Sequence, residues 1–152
     1  MGKSGRRMAR EHALQVLYSY EMTANPIQQV IENLPGEELS DEKSAEFANN
    51  LIHKAIENIS ELDKRIKEKA LNWEFSRIAI LDRLILRMGI CELLLFEDIP
   101  PKVTINEAIE IAKKYSTEKS GFFVNGILDS ILQDLRNSGE LHKIGRGLLD
   151  NS

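Results

Sequence analysis

The stretch from Arg77 to Phe96, RIAILDRLILRMGICELLLF, constrains the fold of this chain more than any other. Its apolar residues recur at helical spacing on more than one side. A helix that is apolar nearly all round is buried in a protein or embedded in a membrane. The five charged residues spread along it argue against a bilayer centre. We therefore predict a buried helix at the centre of a helical domain, with core residues Ile78, Leu81, Ile85, Met88 and Leu95.

The remainder of the chain also favours helices. Of its 152 residues, 42% are apolar and 29% are charged, which is typical of a single globular domain. Glu, Lys, Leu, Ile and Ala dominate, and these residues favour helix over strand. No run alternates between polar and apolar residues as a strand would. Apolar spacing predicts further helices over residues 6–22, 27–34, 41–58, 61–71, 105–115 and from Phe122 or Phe123 to 136.

Capping residues and prolines predict where these helices begin and end. Thr104 and Glu107 match the T-x-x-E pattern of a capping box, so the helix after Pro100-Pro101 is expected to begin at Ile105. Other predicted N-caps are Asn25, Ser40 and Ser76. The segments predicted to lack helix are the break at Asn72-Trp73, the polar loop at 116–121 and the frayed tail at 138–152.

Charge is distributed unevenly along the chain. Residues 1–10 contain four basic residues and no acid, giving +4, whereas the other 142 residues contain 16 basic and 24 acidic residues, giving −8. A short basic arm on an acidic body indicates an interaction segment, often for nucleic acid. Lys3 is followed by Arg6, Arg7 and Arg10 at helical spacing, so the three arginines can share one face. Arginine suits RNA because it binds phosphate and stacks on bases, although a solvated run of charges explains the arm equally well.

The segment from Ser116 to Phe123 is a second candidate for binding RNA. The adjacent rings of Phe122 and Phe123 cannot both face the same side of a helix or strand. One is expected in the core, which leaves the other to stack on a base beside Lys119 and Ser120, an interaction of roughly 1–3 kcal/mol. The alternative, with both rings partly buried at the start of a helix, is somewhat better supported by this segment alone.

Residues for catalysis or metal binding are not grouped in the sequence. His12, His53 and His142 lie in separate segments, and none has a second His or Cys at the spacing of metal ligands. Cys91 lies in the apolar central helix without a neighbouring base, which is typical of a buried, inert thiol. The sequence therefore predicts no enzyme, no metal site and no cofactor.

Four segments carry a more specific pattern. They are RRMAREHALQVLYSYE at residues 6–21, LDRLILRMGICEL at 81–93, DIPPKVTINEAIEIAKKYS at 98–116 and FVNGILD at 123–129. In order and spacing they resemble the family of the bacterial transcription antitermination factor NusB, over nearly the whole chain. The resemblance implies an all-helical fold of about seven helices in two packed halves, over about residues 6–71 and 76–137.

The same resemblance implies recognition of RNA rather than catalysis. Members of this family bind the boxA sequence of nascent ribosomal RNA leaders together with NusE, a small-subunit ribosomal protein, and the pair nucleates a complex that keeps RNA polymerase from terminating early. The family's RNA-contacting positions correspond to Arg6, Arg7, Arg10, Phe123 and, as a weaker candidate, Arg87. Lys3, Lys119 and Ser120 complete the predicted RNA-binding set, and the positions facing NusE are Tyr18 and Asp82. Lys119 stands where some relatives carry an acid, so we expect it to strengthen RNA binding.

Several alternatives stay open beside this interpretation. One is a helical protein-interaction module that does not bind RNA. A domain similar to NusB also precedes the catalytic part of a ribosomal RNA cytosine methyltransferase, but this sequence leaves no room for a methyl-donor-binding domain, so we expect no such activity. Relatives occur as monomers and as homodimers, and the oligomeric state is therefore open. Without a visible signal peptide or membrane-spanning stretch, the expected compartment is the cytoplasm.

Overall fold

The computed structural model describes residues 5–36, 39, 41–71 and 74–149. Within these ranges the chain forms seven α-helices and no strand, which confirms the predicted all-helical fold. The helices are α1 (Gly5–Thr23), α2 (Ile27–Asn33), α3 (Glu42–Glu57), α4 (Ile59–Lys69), α5 (Ile80–Leu95), α6 (Pro101–Tyr115) and α7 (Glu118–Ser138). Two short 3₁₀ helices span Phe75–Arg77 and Gly145–Leu148. No helix in the described ranges is long and apolar enough to cross a membrane.

Contacts between Cα atoms divide the chain into two compact units, with the boundary between Ile56 and Glu57. The first unit contains α1, α2 and nearly all of α3, and the second contains α4 to α7 with the C-terminal segment. Each unit has buried apolar residues of its own. The predicted break at Asn72 and Trp73 lies outside the described residues.

In the first unit, α1 buries one apolar stripe and α2 ends in a tight turn. The buried stripe is Ala9, Ala13, Val16 and Leu17. The turn after α2 includes Gly36 at φ 70°, a backbone conformation that glycine adopts without steric cost. A Cβ at Gly36 would lie 2.9 Å from Nε2 of His12, so the missing side chain also lets this turn lie against α1.

The start of α3 is capped by a carboxylate. Oδ1 of Asp41 accepts a hydrogen bond from the backbone N of Ser44 at 2.7 Å, and Oδ2 accepts one from the Ser44 hydroxyl at 3.0 Å. These hydrogen bonds from Ser44 lower the pKa of the Asp41 carboxyl because they favour its charged form. The predicted cap Ser40 lies outside the described residues. The predicted cap Asn25 is wrong, because Pro26 precedes the first residue of α2 and no side chain caps that helix.

In the second unit, α5 is the central helix. It contacts α4, α6 and α7, and all residues from Leu84 to Leu93 are buried. A Cβ at Gly89 would lie 2.9 Å from Cδ1 of Leu128, so this glycine allows α5 and α7 to pack closely. The central position is confirmed, but two predicted core residues are not in the core: Leu95, at the C-terminal end of α5, is 40% exposed, and Leu81 is half-buried. The predicted cap Ser76 is also wrong, because it lies in the preceding 3₁₀ turn and α5 begins at Ile80.

Helices α6 and α7 begin earlier than predicted. Pro101 is the first residue of α6, where its fixed φ suits a helix and its missing N–H costs nothing. The predicted capping box is therefore wrong: Thr104 lies inside α6, and its hydroxyl donates to Oε1 of Glu92 at 3.0 Å. The predicted loop at 116–121 is mostly the first turn of α7, since Oγ1 of Thr117 caps that helix by accepting from the backbone N of Ser120 at 3.0 Å.

The C-terminal segment is packed rather than frayed up to residue 149, after which the residues lie outside the described ranges. Nζ of Lys143 donates to the backbone oxygens of Glu92 and Phe96 at 3.1 and 2.7 Å, which satisfies carbonyl groups at the end of α5. Burial lowers the pKa of the Lys143 ammonium. The backbone N of Ile144 also donates to the oxygen of Glu97 at 3.0 Å. The prediction of a loose tail is wrong here because these contacts join residues about fifty positions apart, beyond the reach of local sequence patterns.

Candidate nucleic-acid interface

The arginines of α1 differ in their exposure. Arg6 is exposed, Arg7 is half-buried and Arg10 is only 3% exposed. The guanidinium carbons of Arg6 and Arg10 lie 4.5 and 5.1 Å from the centre of the Phe47 ring on α3, within the range of a cation–π interaction. Cations in the first turns of a helix oppose its macrodipole, and this contact with Phe47 offsets part of that cost.

Two other predicted residues belong to the first unit. Lys3 lies outside the described residues. Tyr18, predicted to face a protein partner, lies on α1 and is 39% exposed. An aromatic side chain with an exposed edge and a hydroxyl group is common where proteins bind one another, and Tyr18 is therefore accessible for such a contact.

In the second unit, a cavity of about 410 Å³ brings four predicted site residues together. The lining residues are Arg77, Ile78, Ala79, Asp82, Lys119, Ser120 and Phe123. Arg77 and Lys119 are exposed cations, and Ile78 and Phe123 supply apolar surface. The two phenylalanines differ in exposure: Phe122 is 76% exposed, whereas Phe123 is half-buried in the lining of the cavity. The cavity thus combines positive charge, an aromatic ring and hydrogen-bonding groups.

One carboxylate of the lining, that of Asp82, is held by a serine hydroxyl. The hydroxyl of Ser120 donates to Oδ2 of Asp82 at 3.0 Å. Its oxygen lies 2.9 Å from the hydroxyl oxygen of Ser116 and 3.1 Å from that of Thr117. Because a serine hydroxyl carries a single proton, which goes to Asp82, Ser120 acts as the acceptor in its other hydroxyl contacts. Asp82 and Ser120 are only 7% and 6% exposed, so neither projects freely into solvent.

Arg87 is placed differently from the other predicted RNA contacts. It is buried, and it forms a bidentate ion pair with Asp63 of α4: Nε donates to Oδ1 at 2.6 Å and Nη2 donates to Oδ2 at 3.0 Å. The side chains of Arg87 and Asp63 are only 8% and 15% exposed. This geometry indicates a structural role that joins α4 to α5, because the fork of the guanidinium is already occupied by a carboxylate.

Three residues of these sites are absent from the predicted set of binding residues. The buried Phe47 lies against Arg6 and Arg10, and Arg77 and Ile78 line the cavity. Arg77 lies five positions before Asp82, a spacing that puts two residues on different sides of a continuous helix. Both line the cavity because Arg77 lies in a 3₁₀ turn before α5. No sequence signal indicates the role of Phe47, since its ring meets the arginines only through the packing of α3 beside α1.

The described residues include no group of three His, Cys, Asp or Glu side chains arranged to hold a metal ion.

The chain is similar to known proteins in sequence and in fold. The sequence model of the NusB family matches residues 7–133. The transcription antitermination protein NusB of Chloroherpeton thalassium is 47% identical over 146 residues, covering 95% of this chain and 69% of that protein. A crystal form of T. maritima NusB superposes with a TM-score of 0.78 at 40% identity, covering 88% of this chain and 94% of that one.

A second solved structure contains RNA and a protein partner. It is a crystal structure of antitermination factors NusB and NusE in complex with dsRNA, with a TM-score of 0.78, 27% identity and coverage of 86% of this chain and 97% of that one. The family match covers well over half of the chain, and both the sequence and the helical fold agree with it. The chain belongs to the NusB family.

Proposed function

We propose that this protein is a transcription antitermination factor that binds boxA RNA of ribosomal RNA leader transcripts together with NusE, and so nucleates an antitermination complex on RNA polymerase. Its relative in Chloroherpeton thalassium is named a transcription antitermination protein, and a similar solved chain is a NusB bound with NusE and dsRNA. Its role is recognition rather than catalysis. The compartment that we assign to it is the cytoplasm.

The single observation that carries this proposal is the composition of the cavity between α5 and α7. Exposed Arg77 and Lys119 supply positive charge for phosphates, while Phe123 supplies an aromatic surface for a base. Single-stranded RNA is recognised by this combination of charge and stacking. In the first unit, Arg6 and Arg7 provide a second positive surface. A net charge of −4 disfavours unspecific binding of polyanions elsewhere on the protein.

The proposed function predicts a preference for boxA RNA that depends on sequence. A boxA oligonucleotide should bind about tenfold more tightly than a scrambled oligonucleotide of the same composition. Hydrogen bonds to the edges of particular bases increase the affinity for the matching RNA by about this factor. The measurement is fluorescence anisotropy at fixed salt, with and without NusE, and NusE should increase the preference. Equal affinity for both RNAs under all conditions, with NusE still bound, would instead support the alternative of a protein-interaction module without RNA recognition.

Lys119 offers a test of the cavity's charge. Replacing Lys119 with Asp should weaken boxA binding about fivefold, because a negative charge then replaces a positive one beside the phosphates. Lys64→Asp on α4 is the matched control, since Lys64 is also an exposed lysine and the charge change is the same. If both variants bind boxA RNA with the wild-type affinity, Lys119 has no part in RNA binding.

A further inference from the structure

One aromatic ring of the first unit lies against two arginines of the basic arm. The guanidinium carbons of Arg6 and Arg10 are 4.5 and 5.1 Å from the centre of the Phe47 ring. The two arginines are four positions apart on α1, so their side chains share one face of the helix and their like charges repel each other. The negative face of the ring offsets part of this repulsion. Phe47 therefore influences where both cations stand.

The ring has little freedom to turn away from these cations. Phe47 is 5% exposed and belongs to the buried stripe of α3, which is Ser44, Phe47, Ala48, Leu51, Ile52 and Ala55. Arg10 is only 3% exposed, so protein covers its side chain as well. Arg6, one turn before it, is exposed. The ring is thus enclosed by protein on the side of Arg10, while a ligand in solution can reach Arg6.

The start of α1 lies directly against the start of α3. A Cβ at Gly5 would overlap the hydroxyl oxygen of Ser44 and would lie 3.4 Å from Oδ2 of Asp41. The Ser44 hydroxyl is held in place by its hydrogen bond to Oδ2 of Asp41, at 3.0 Å. Only a residue without a side chain fits there. This close contact immediately precedes Arg6 and keeps the first turn of α1 beside the ring of Phe47.

From these contacts we propose that Phe47 is a positioning residue for RNA binding, which holds the guanidinium of Arg6 where it meets a phosphate of the bound RNA. The inference rests on the proposed function and goes beyond it, because it gives a role in RNA binding to a buried residue that RNA does not reach. A long arginine side chain loses conformational freedom when it binds a ligand. A side chain already held near its bound position loses less, and the affinity is higher for that reason.

A ring suits this task better than a carboxylate. The carboxylate of Asp63 fixes Arg87 through two hydrogen bonds and neutralises its charge, which leaves little attraction for a phosphate. The face of a phenylalanine ring attracts a cation without carrying a net charge. The first turn of α1 contains no acidic residue, so this turn supplies no countercharge either. Phe47 thus holds Arg6 in place and preserves its positive charge.

Replacing Phe47 with leucine tests the inference, because leucine keeps the buried position apolar and removes the ring. Binding of boxA RNA at fixed salt should weaken about fivefold, since fewer molecules hold Arg6 in the binding position. Phe47→Tyr keeps an aromatic ring and should bind within about twofold of the wild type. The decisive measurement combines the variants: Arg6→Ala should weaken binding strongly in the wild type and much less in Phe47→Leu, because residues that act through one another are not additive.

Two further proteins separate positioning from folding. Phe96→Leu is the same change at another buried phenylalanine, in the second unit, and it should keep both the wild-type affinity and the full effect of Arg6→Ala. Trifluorophenylalanine at position 47 keeps a ring of similar size but withdraws electron density from its face, so binding should weaken about threefold. Circular dichroism and thermal unfolding show whether each protein is folded. If Phe47→Leu does not fold, the fluorinated protein decides the question when Arg6→Ala is combined with it.

Each outcome has a distinct meaning. Weaker binding by the leucine and fluorinated proteins, with a smaller effect of Arg6→Ala in them, supports the inference. If these proteins bind boxA RNA as tightly as the wild type, or if Arg6→Ala leaves the wild-type affinity unchanged, the inference fails while the preference for boxA can still stand. If the losses from Phe47→Leu and Arg6→Ala multiply, the ring acts on the fold alone and the inference also fails. If the wild type does not prefer boxA over scrambled RNA, the proposed function fails, and this inference with it.

Discussion

Replacing Arg87 with alanine is expected to lower the free energy of unfolding by about 3–5 kcal/mol, because it leaves a carboxylate without its partner in a largely buried site. Arg87 and Asp63 form two hydrogen bonds of 2.6 and 3.0 Å between α5 and α4. Their side chains are only 8% and 15% exposed, so water replaces the missing guanidinium poorly. The measurement is equilibrium unfolding in urea, followed by circular dichroism at 222 nm.

Two comparisons make this prediction specific. Arg77→Ala removes the same side chain where it is 79% exposed and should leave the unfolding free energy close to that of the wild type. The double variant with Arg87→Met and Asp63→Leu should recover much of the stability, because neither buried charge is left unpaired. RNA affinity should be unchanged in the folded double variant. If the double variant has normal stability but binds RNA much more weakly than the wild type, Arg87 contacts RNA after all.

Replacing Arg6 and Arg7 together with alanine is expected to weaken boxA binding about 10- to 100-fold at 0.1 M salt, since each arginine supplies charge-assisted hydrogen bonds to phosphate. The slope of log affinity against log salt should become shallower by about 0.7 for each phosphate that the variant no longer neutralises. Arg6 is exposed and Arg7 half-buried, whereas the buried Arg10 lies over Phe47. The variant therefore leaves Arg10 in place, so that a change in affinity does not reflect disruption of its packing.

A charge-matched variant completes this experiment. The double variant Lys64→Ala with Lys102→Ala also loses two positive charges, but from exposed positions on α4 and α6. Its slope of log affinity against log salt should stay near that of the wild type. Thermal unfolding of the Arg6/Arg7 variant shows whether removal of the Arg6 side chain from Phe47 loosens α1. An unchanged salt slope in a folded Arg6/Arg7 variant would contradict the role of the basic arm.

Helical periodicity predicts most of the architecture because it is a local property of the chain. The apolar residues of the stretch around Leu84–Leu93 indicate burial on several sides, and α5 is indeed the central helix of the second unit. Helix starts are predicted less well. Thr104 matches a capping box but lies inside α6, because Pro101 is an equally good first residue and the local signals do not rank them.

Local signals also mislead where distant contacts outweigh them. The weak helical pattern after Ser138 predicts a loose tail, yet Lys143 meets the last carbonyl groups of α5. A polar stretch at 116–121 predicts a loop, yet Thr117 and Ser120 use their hydroxyl groups at the start of α7. In both places the polar atoms form hydrogen bonds with other groups of the protein, and which groups these are depends on the residues that the fold brings nearby.

The sequence by itself determined the helical class, the central helix, the basic arm and the resemblance that the family match confirms. Only the tertiary structure decided what each charged residue meets. Arg87 pairs with Asp63 across 24 positions, and Asp82 meets Ser120 across 38. Helical spacing places a residue on a face, but burial and partners depend on which other helix covers that face. The family resemblance associates Arg87 with the RNA contacts, as a weaker candidate, whereas the fold buries it and brings Asp82 to the cavity of Lys119 and Phe123.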